Sequence, residues 1–258
     1  MKKLKSNSGD IIIVYEDPDY LIVNKPANLI THKSHNKDEV SLADILLNNY
    51  PEIKLVGEDE NRPGIVHRLD KEVSGLLIIA RNQKSFEYFK NLFKNRKIHK
   101  EYEAIIYGSP SKDEVEITFP ITRAKSGFKM AALPLTSKEN KSKISNRERG
   151  NEKARTKSKE ALTKFSVIKK WPHVSVISII IVTGRTHQIR VHLAAYGYPI
   201  LGDNLYGTTK TIRKNQKQEL NRVYLYAKKL IFPDLNGEKK EFTITAPDTL
   251  KCFINKQK

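Results

Sequence analysis

What this chain has little of narrows its chemistry before any motif is read. A single cysteine, Cys252, excludes an internal disulfide and leaves no second thiol for a cysteine-based zinc site, which suits a reducing cytosol. No apolar run approaches a membrane span. After the basic start "MKKLKSNSGD" comes only "IIIV" before "YEDPDY", too short for the apolar core of a signal peptide, so a cytoplasmic protein with no membrane partner is expected. Neither GxxxxGK[ST] nor GxGxxG occurs, and no serine sits in a GxSxG elbow, so no nucleotide cofactor is expected. His187 and His192 are five apart and His32 and His35 three apart. Neither pair has a third ligand at matching spacing, which argues against a metal site.

Acidic side chains are also in short supply. The chain has 258 residues, with 47 Lys and Arg against 29 Asp and Glu, giving a formal net charge of +18. That balance favours a polyanionic partner such as nucleic acid, although a lysine-heavy genome produces the same bias. Part of the excess is local. From Lys138 to Lys159 nine basic residues face three Glu with almost nothing apolar between them, so a mobile basic insertion is expected. Its net charge is 9 − 3 = +6, which leaves 18 − 6 = +12 on the rest of the chain. With 38% hydrophobic residues, the remainder can bury a sizeable core. The expected organisation is a short tail over 1–10 and one globular domain over 11–258.

The periodicities are mixed. "IIIVYEDPDYLIVNK" reads as two strands joined at Asp-Pro-Asp. Ser41 with Asp44 three residues on forms a capping-box pattern ahead of Leu42, Ile45 and Leu46 at helical spacing. "SGLLIIAR" is a short, continuously apolar run, hence a strand covered on both faces, and Phe86, Phe89 and Phe93 mark an amphipathic helix after it. "KEYEAIIYG", "ALTKFSVIKK", "VSVISIIIVT", "RVYLYAKKLIF" and "KKEFTITAP" add strands. Between them "THQIRVHLAAYG" predicts a helix capped by Thr186 and ended at Gly197. Strands and helices do not alternate regularly, so the fold class expected is α+β with a mixed, mostly antiparallel sheet.

Three stretches carry chemistry. "PGIVHRLD" places His67, Arg68 and Asp70 on a loop leading into the buried strand, where catalytic groups commonly sit; the bland alternative is a turn-capping Asp70 and a satisfied core imidazole. "TGRTHQIRVHL" puts Arg185 and Arg190 near a helix start, where cations oppose the helix dipole. Either they lie on a solvated face, or one guanidinium meets a buried carboxylate and the other phosphate. His187 and Arg190 share a face, and Ile189 and Leu193 another that packs on the sheet, so Arg190 is expected to face a cleft. In "KEYEAIIYG" Lys100 and Tyr102 project from one side of a strand. Tyr102 is either ordinary strand packing or a stacking platform for a base.

Taken together, "HRLDKEVSGLLIIAR", "KEYEAIIYG" and "TGRTHQIRVHLAAYGYPILGDNLYG", preceded by "YEDPDYLIVNKPANLITH", resemble in order the signature regions of the RluA family of RNA pseudouridine synthases. The likeness covers roughly residues 11 to 250. It implies a sheet crossed by an RNA-binding cleft and conversion of particular uridines in ribosomal or transfer RNA to the C-glycoside isomer, with no cofactor and by a monomer. It implies that Asp70 is the catalytic carboxylate, that Tyr102 packs on the target uracil and that Arg190 pairs with Asp70. Arg68 resembles the arginine that enters the stack the base has left, with His67, Lys100, Arg185 and His187 beside it on the RNA. The chain departs from the pattern at Val73, where Thr is common, at Asn28, where Gly is common, and at Tyr226, where His is usual. Many relatives carry an S4 RNA-binding module, whereas here about ten residues precede the first strand. A catalytically silent RNA-binding or ribosome-assembly factor on the same scaffold is the alternative. Metal-dependent cleavage would need paired carboxylates, for which only the proximity of Glu72 to Asp70 speaks.

Overall fold

The computed structural model describes residues 2–33, 39–124, 127, 129–133 and 158–257. Most of the basic insertion expected over 138–159 lies outside the described residues. The chain forms two compact units, Met1–Lys100 with Tyr226–Thr245, and Glu101–Leu225 with Ala246–Lys258.

The first unit begins inside the segment expected as a tail, where β1 (Lys3–Leu4) pairs antiparallel with β2 (Ile11–Glu16). β2 turns into β3 (Tyr20–Lys25) at Asp-Pro-Asp. There the Asp17 carboxylate accepts from the backbone N–H groups of Asp19 and Tyr20, both at 2.8 Å, a side-chain substitute for a backbone turn. Helix α1 (Leu42–Asn49) starts with the capping box of Ser41 and Asp44. β4 (Ser74–Ala80) pairs antiparallel with β3 and is buried at all seven positions, as its unbroken apolar run requires. Helix α2 (Gln83–Lys94), capped by Asn82, lays Phe86, Phe89 and Leu92 inward.

β5 (His99–Tyr107) leads into the second unit, where β6 (Glu114–Ile117), β9 (Thr163–Lys170) and β10 (Val174–Ile181) join it in the order β5-β10-β9-β6, all antiparallel. β7 (Ile121–Arg123) and β8 (Met130–Ala132) make a separate pair. Helices α3 (Gln188–Tyr196), α4 (Thr209–Lys217) and, near the end of the chain, α5 (Asp248–Asn255) complete this unit.

The chain then returns to the first unit. β11 (Leu225–Pro233) lies parallel to β4, and β12 (Lys239–Thr243) antiparallel to β11. Phe89 meets Tyr20 and Phe232 edge-on at centroid distances of 5.2 and 5.4 Å, amid Ile22, Leu76, Ile78 and Leu230. Burying each such side chain contributes roughly 1.5–3 kcal/mol. Gly75 permits the parallel contact: a Cβ there would lie 2.4 Å from both the N and the O of Ala227, and its φ is +124°. The class is therefore α+β with mostly antiparallel pairing.

Candidate active site

In the first unit, residues 67 to 71 are held from behind at alternate positions. The His67 ring lies 4.3 Å from the Phe93 ring, and its Nε2 accepts the Ile78 N–H at 2.8 Å. A nitrogen that accepts an N–H carries no proton, so the neutral ring bears its hydrogen on Nδ1. Burial, and then the charge of Lys100, push this imidazole down to about 3. Two residues on, the buried Thr31 hydroxyl donates to the Leu69 carbonyl at 2.9 Å and accepts from the Leu69 N–H at 3.3 Å. Two further on, Lys25, with no exposed surface, donates from Nζ to the carbonyls of Lys71 (3.3 Å), Leu29 (2.7 Å) and Pro26 (2.9 Å). The Asp70 carbonyl accepts from Val73 N–H at 3.2 Å, closing the turn.

These contacts brace residues 67, 69 and 71 and leave Arg68 and Asp70 between them. Arg68 is exposed and Asp70 partly exposed, whereas Leu69 is buried. The Arg68 guanidinium stands 3.5 Å from Nε2 of His32. Burial and then the charge of Arg68 lower the pKa of His32, so that ring too stays neutral near neutrality. Lys100 lies 5.7 Å from the centre of the Phe93 ring, and burial lowers its pKa.

In the second unit, Tyr102 sits on β5 opposite Ile179 of β10 with 8% of its surface exposed. The helix bearing Arg190 does not begin as its sequence suggests. The capping residue is His187, in the left-handed region at φ 54°, and not Thr186. A β-branched residue would be strained there, and no side chain caps the helix; the buried Gln188 amide instead braces the loop ahead of it. The Gln188 Oε1 accepts from Arg185 N–H (3.0 Å) and the Thr183 hydroxyl (2.7 Å), while its Nε2 donates to the Leu162 carbonyl and to Thr163 Oγ1, each at 3.0 Å. His192 continues the chain, with Nε2 donating to the Phe119 carbonyl at 2.8 Å and Nδ1 facing Thr163 Oγ1 at 3.0 Å. Its ring has no exposed surface, and burial holds it down to about 4.

Arg190 is buried, 2% exposed, where its helical face was expected to look onto a cleft. A buried carboxylate explains the difference. Asp203, itself 1% exposed, takes the guanidinium through Nε at 2.8 Å and Nη2 at 3.1 Å, a two-point pairing that offsets desolvation of both charges. Asp203 Oδ1 also accepts from the N–H groups of Leu205 and Tyr206 at 2.9 and 3.0 Å, and the Tyr206 ring lies 5.4 Å from the guanidinium. His187 Nδ1 is 2.8 Å from the Tyr206 hydroxyl. Arg185, partly exposed, donates from Nε to the Glu160 carbonyl at 3.1 Å.

Lys25, Thr31, Gln188 and Asp203 were not singled out from the sequence. The only available signal was that Asp203 falls in "GDNLYG", where a glycine and an aspartate precede a tight turn. Among the described residues no group of three His, Cys, Asp or Glu stands together as metal ligands would, and no helix is long and apolar enough to cross a membrane.

The first unit thus carries exposed Arg68 and partly exposed Asp70 on the loop that enters β4, and the second unit carries a buried arginine anchored on an acid. Comparison with known proteins defines the class. The family model described as RNA pseudouridylate synthase matches residues 19–195. An "Uncharacterized RNA pseudouridine synthase" of Aquifex aeolicus is 34% identical over 98% of this chain and 74% of its own length. "Ribosomal large subunit pseudouridine synthase D" of Blochmanniella floridana is 32% identical over 83% of this chain and 60% of its own length. The solved structure "Human RNA Pseudouridylate Synthase Domain Containing 1" superposes with a TM-score of 0.70 at 25% identity, covering 95% of this chain and 88% of that one. The chain belongs to the RluA family of RNA pseudouridine synthases, isomerases that act on RNA.

Proposed function

We propose that this protein isomerises particular uridines of structural RNA, ribosomal RNA first, to pseudouridine, with Asp70 as the catalytic carboxylate. The observation that carries the reading is the bracing of the loop at His67, Leu69 and Lys71, which holds the segment bearing exposed Arg68 and partly exposed Asp70. In this mechanism the target nucleotide leaves its helix at a cost of a few kcal/mol, and Arg68 fills the vacancy. Tyr102 packs on the uracil. The Asp70 carboxylate attacks C1′ of the ribose or assists departure of the base, and the C1′–N1 bond breaks. The uracil turns, C5 bonds to C1′ as any bond between Asp70 and C1′ breaks and returns the free carboxylate, the C5 hydrogen leaves as a proton, and N1 is protonated. Atoms and electrons balance without an acceptor, so the reaction consumes no cofactor.

Lys100, Arg185 and His187 meet the RNA around the target. His67, whose Nε2 is taken by the Ile78 N–H, meets the RNA as a donor through Nδ1. The protein acts as a monomer in the cytoplasm. Ribosomal RNA is placed first because the curated relative from Blochmanniella carries that substrate in its name. The test is release of tritium from transcripts of large-subunit ribosomal RNA carrying 5-tritiated uridine. Stoichiometric release is expected. No release from ribosomal or transfer RNA, with RNA binding intact, would leave a silent RNA-binding factor instead.

A further inference from the structure

Helix α4, "TKTIRKNQK", has two unlike faces. Lys210, Arg213, Lys214 and Lys217 recur at i, i+3, i+4 and i+7, which puts all four cations on one stripe about 10 Å long. All four are exposed, the helix contains no acid, and among the described residues none of the four forms an ion pair. Several other surface cations are neutralised locally, Lys90 by Glu58, Lys164 by Glu116, Lys170 by Asp113 and Lys229 by Glu241. Within the stripe every neighbouring pair repels its partner, and Lys210 also lies against the positive end of the helix dipole. The helix bears this cost on its outer face alone.

Its inner face ties the stripe to the Arg190 site. Asn215, with no exposed surface, accepts through Oδ1 from Gly202 N–H (3.1 Å) and the Tyr107 hydroxyl (2.6 Å), and its Nδ2 donates to Asn204 Oδ1 (2.9 Å). Burial pushes the Tyr107 phenol up to about 12, so it remains a donor. Gly202 precedes Asp203, the acid that holds Arg190, and cannot be replaced: a Cβ there would lie 1.9 Å from the Arg222 carbonyl oxygen. One short rigid segment thus fixes the cation stripe relative to the guanidinium.

We infer that the outer face of α4 is the docking surface for the phosphate backbone of the substrate RNA flanking the target nucleotide. The inference rests on the function proposed above and adds to it the place where the polyanion lies. Four cations fixed on one face and offset by no acid match an evenly spaced row of phosphates, whose release of counterions sets both affinity and its salt dependence.

The test uses the full chain with all four residues neutralised, K210Q/R213Q/K214Q/K217Q. A second variant, K54Q/K84Q/K112Q/K256Q, removes the same charge from exposed lysines elsewhere. The dissociation constant for a fluorescein-labelled RNA stem–loop is measured between about 50 and 200 mM KCl, where each lost phosphate contact lowers the log–log slope by about 0.7–0.9. The stripe variant is expected to lose about three in slope and at least tenfold in affinity, with a thermal midpoint no lower than wild type. The control variant is expected to shift the slope by less than one. Equal shifts in the two variants would overturn the docking surface, because net charge alone would then account for binding. Tritium release by the wild type separates the two claims. Release with an unchanged slope sinks the docking surface alone, and a lost slope without release sinks the proposed reaction and leaves the surface standing.

Discussion

Thr31→Val removes one hydroxyl and preserves shape, and it tests whether the loop bearing Asp70 must be held from behind. The hydroxyl satisfies both the carbonyl and the N–H of Leu69, a buried residue, at 2.9 and 3.3 Å. Valine leaves both groups without that partner. Each orphaned buried backbone group costs about 1–3 kcal/mol, so the variant, with two of them, should be destabilised by about 2–6 kcal/mol unless the loop moves to let water in. Movement relieves the stability cost but displaces Asp70, and a misplacement of about 1 Å costs on the order of 100-fold in rate. Urea unfolding and single-turnover tritium release, measured on the same preparation, read the two alternatives together. A loss of at least one kind is required. Should Thr31→Val keep both wild-type stability and wild-type turnover, the clamp would be irrelevant to the loop and the reasoning would fail.

Other consequences follow from the same geometry. Asp203→Ala leaves Arg190 buried without the acid that pairs with it in two places, and a thermal or urea melt should show a loss of about 3–5 kcal/mol; a near-neutral result would mean that water reaches the guanidinium. His192, held at about 4 against an ordinary 6.5, folds neutral, so its stabilisation is complete above about pH 6.5 and is lost as pH falls through 6.5 toward 4. That amounts to about 2 kcal/mol between pH 7 and pH 5, which His192→Asn should remove from the pH dependence of urea stability; an unaltered profile would contradict it. Gly75→Ala drives a methyl to within 2.4 Å of the Ala227 backbone, and a loss of more than about 3 kcal/mol or failure to fold is expected; a soluble variant of normal stability would show that β4 and β11 can separate.

The elements that could be read from the sequence are those whose signals are local. The Asp-Pro-Asp turn, the Ser41–Asp44 box, the unbroken apolar run of β4 and the phenylalanine spacing of α2 each specify their structure within a dozen residues. The motifs likewise supplied Asp70, Arg68 and Arg190 as candidates. What supports them was not legible. Thr31 reaches Leu69 across 38 positions and Lys25 reaches Lys71 across 46, and nothing in "NKPANLITH" distinguishes a lysine buried under three carbonyls from one in solvent. Arg190 was expected toward a cleft because helical spacing shows which residues share a face but not that Asp203, thirteen positions on, would bury its guanidinium. The start of α3 was misread for a related reason. A threonine ahead of an apolar stretch is the usual cap, but here the chain enters the helix through His187 in the left-handed region with no side-chain cap, and the Gln188 amide bonds back to the Arg185 N–H ahead of the helix. Two departures from the family pattern occupy buried sites: Val73 is 2% exposed and Tyr226 1%.

The central claim is that the Asp70 carboxylate performs the chemistry on RNA that the protein binds independently of it. Asp70→Asn keeps the size of the side chain and deletes only its charge, so tritium release from 5-tritiated uridine and RNA affinity should part company. The account predicts release reduced to the uncatalysed background with the dissociation constant changed by less than about threefold, under 1 kcal/mol. Release at the wild-type rate from the Asp70→Asn variant would show that another group carries the reaction.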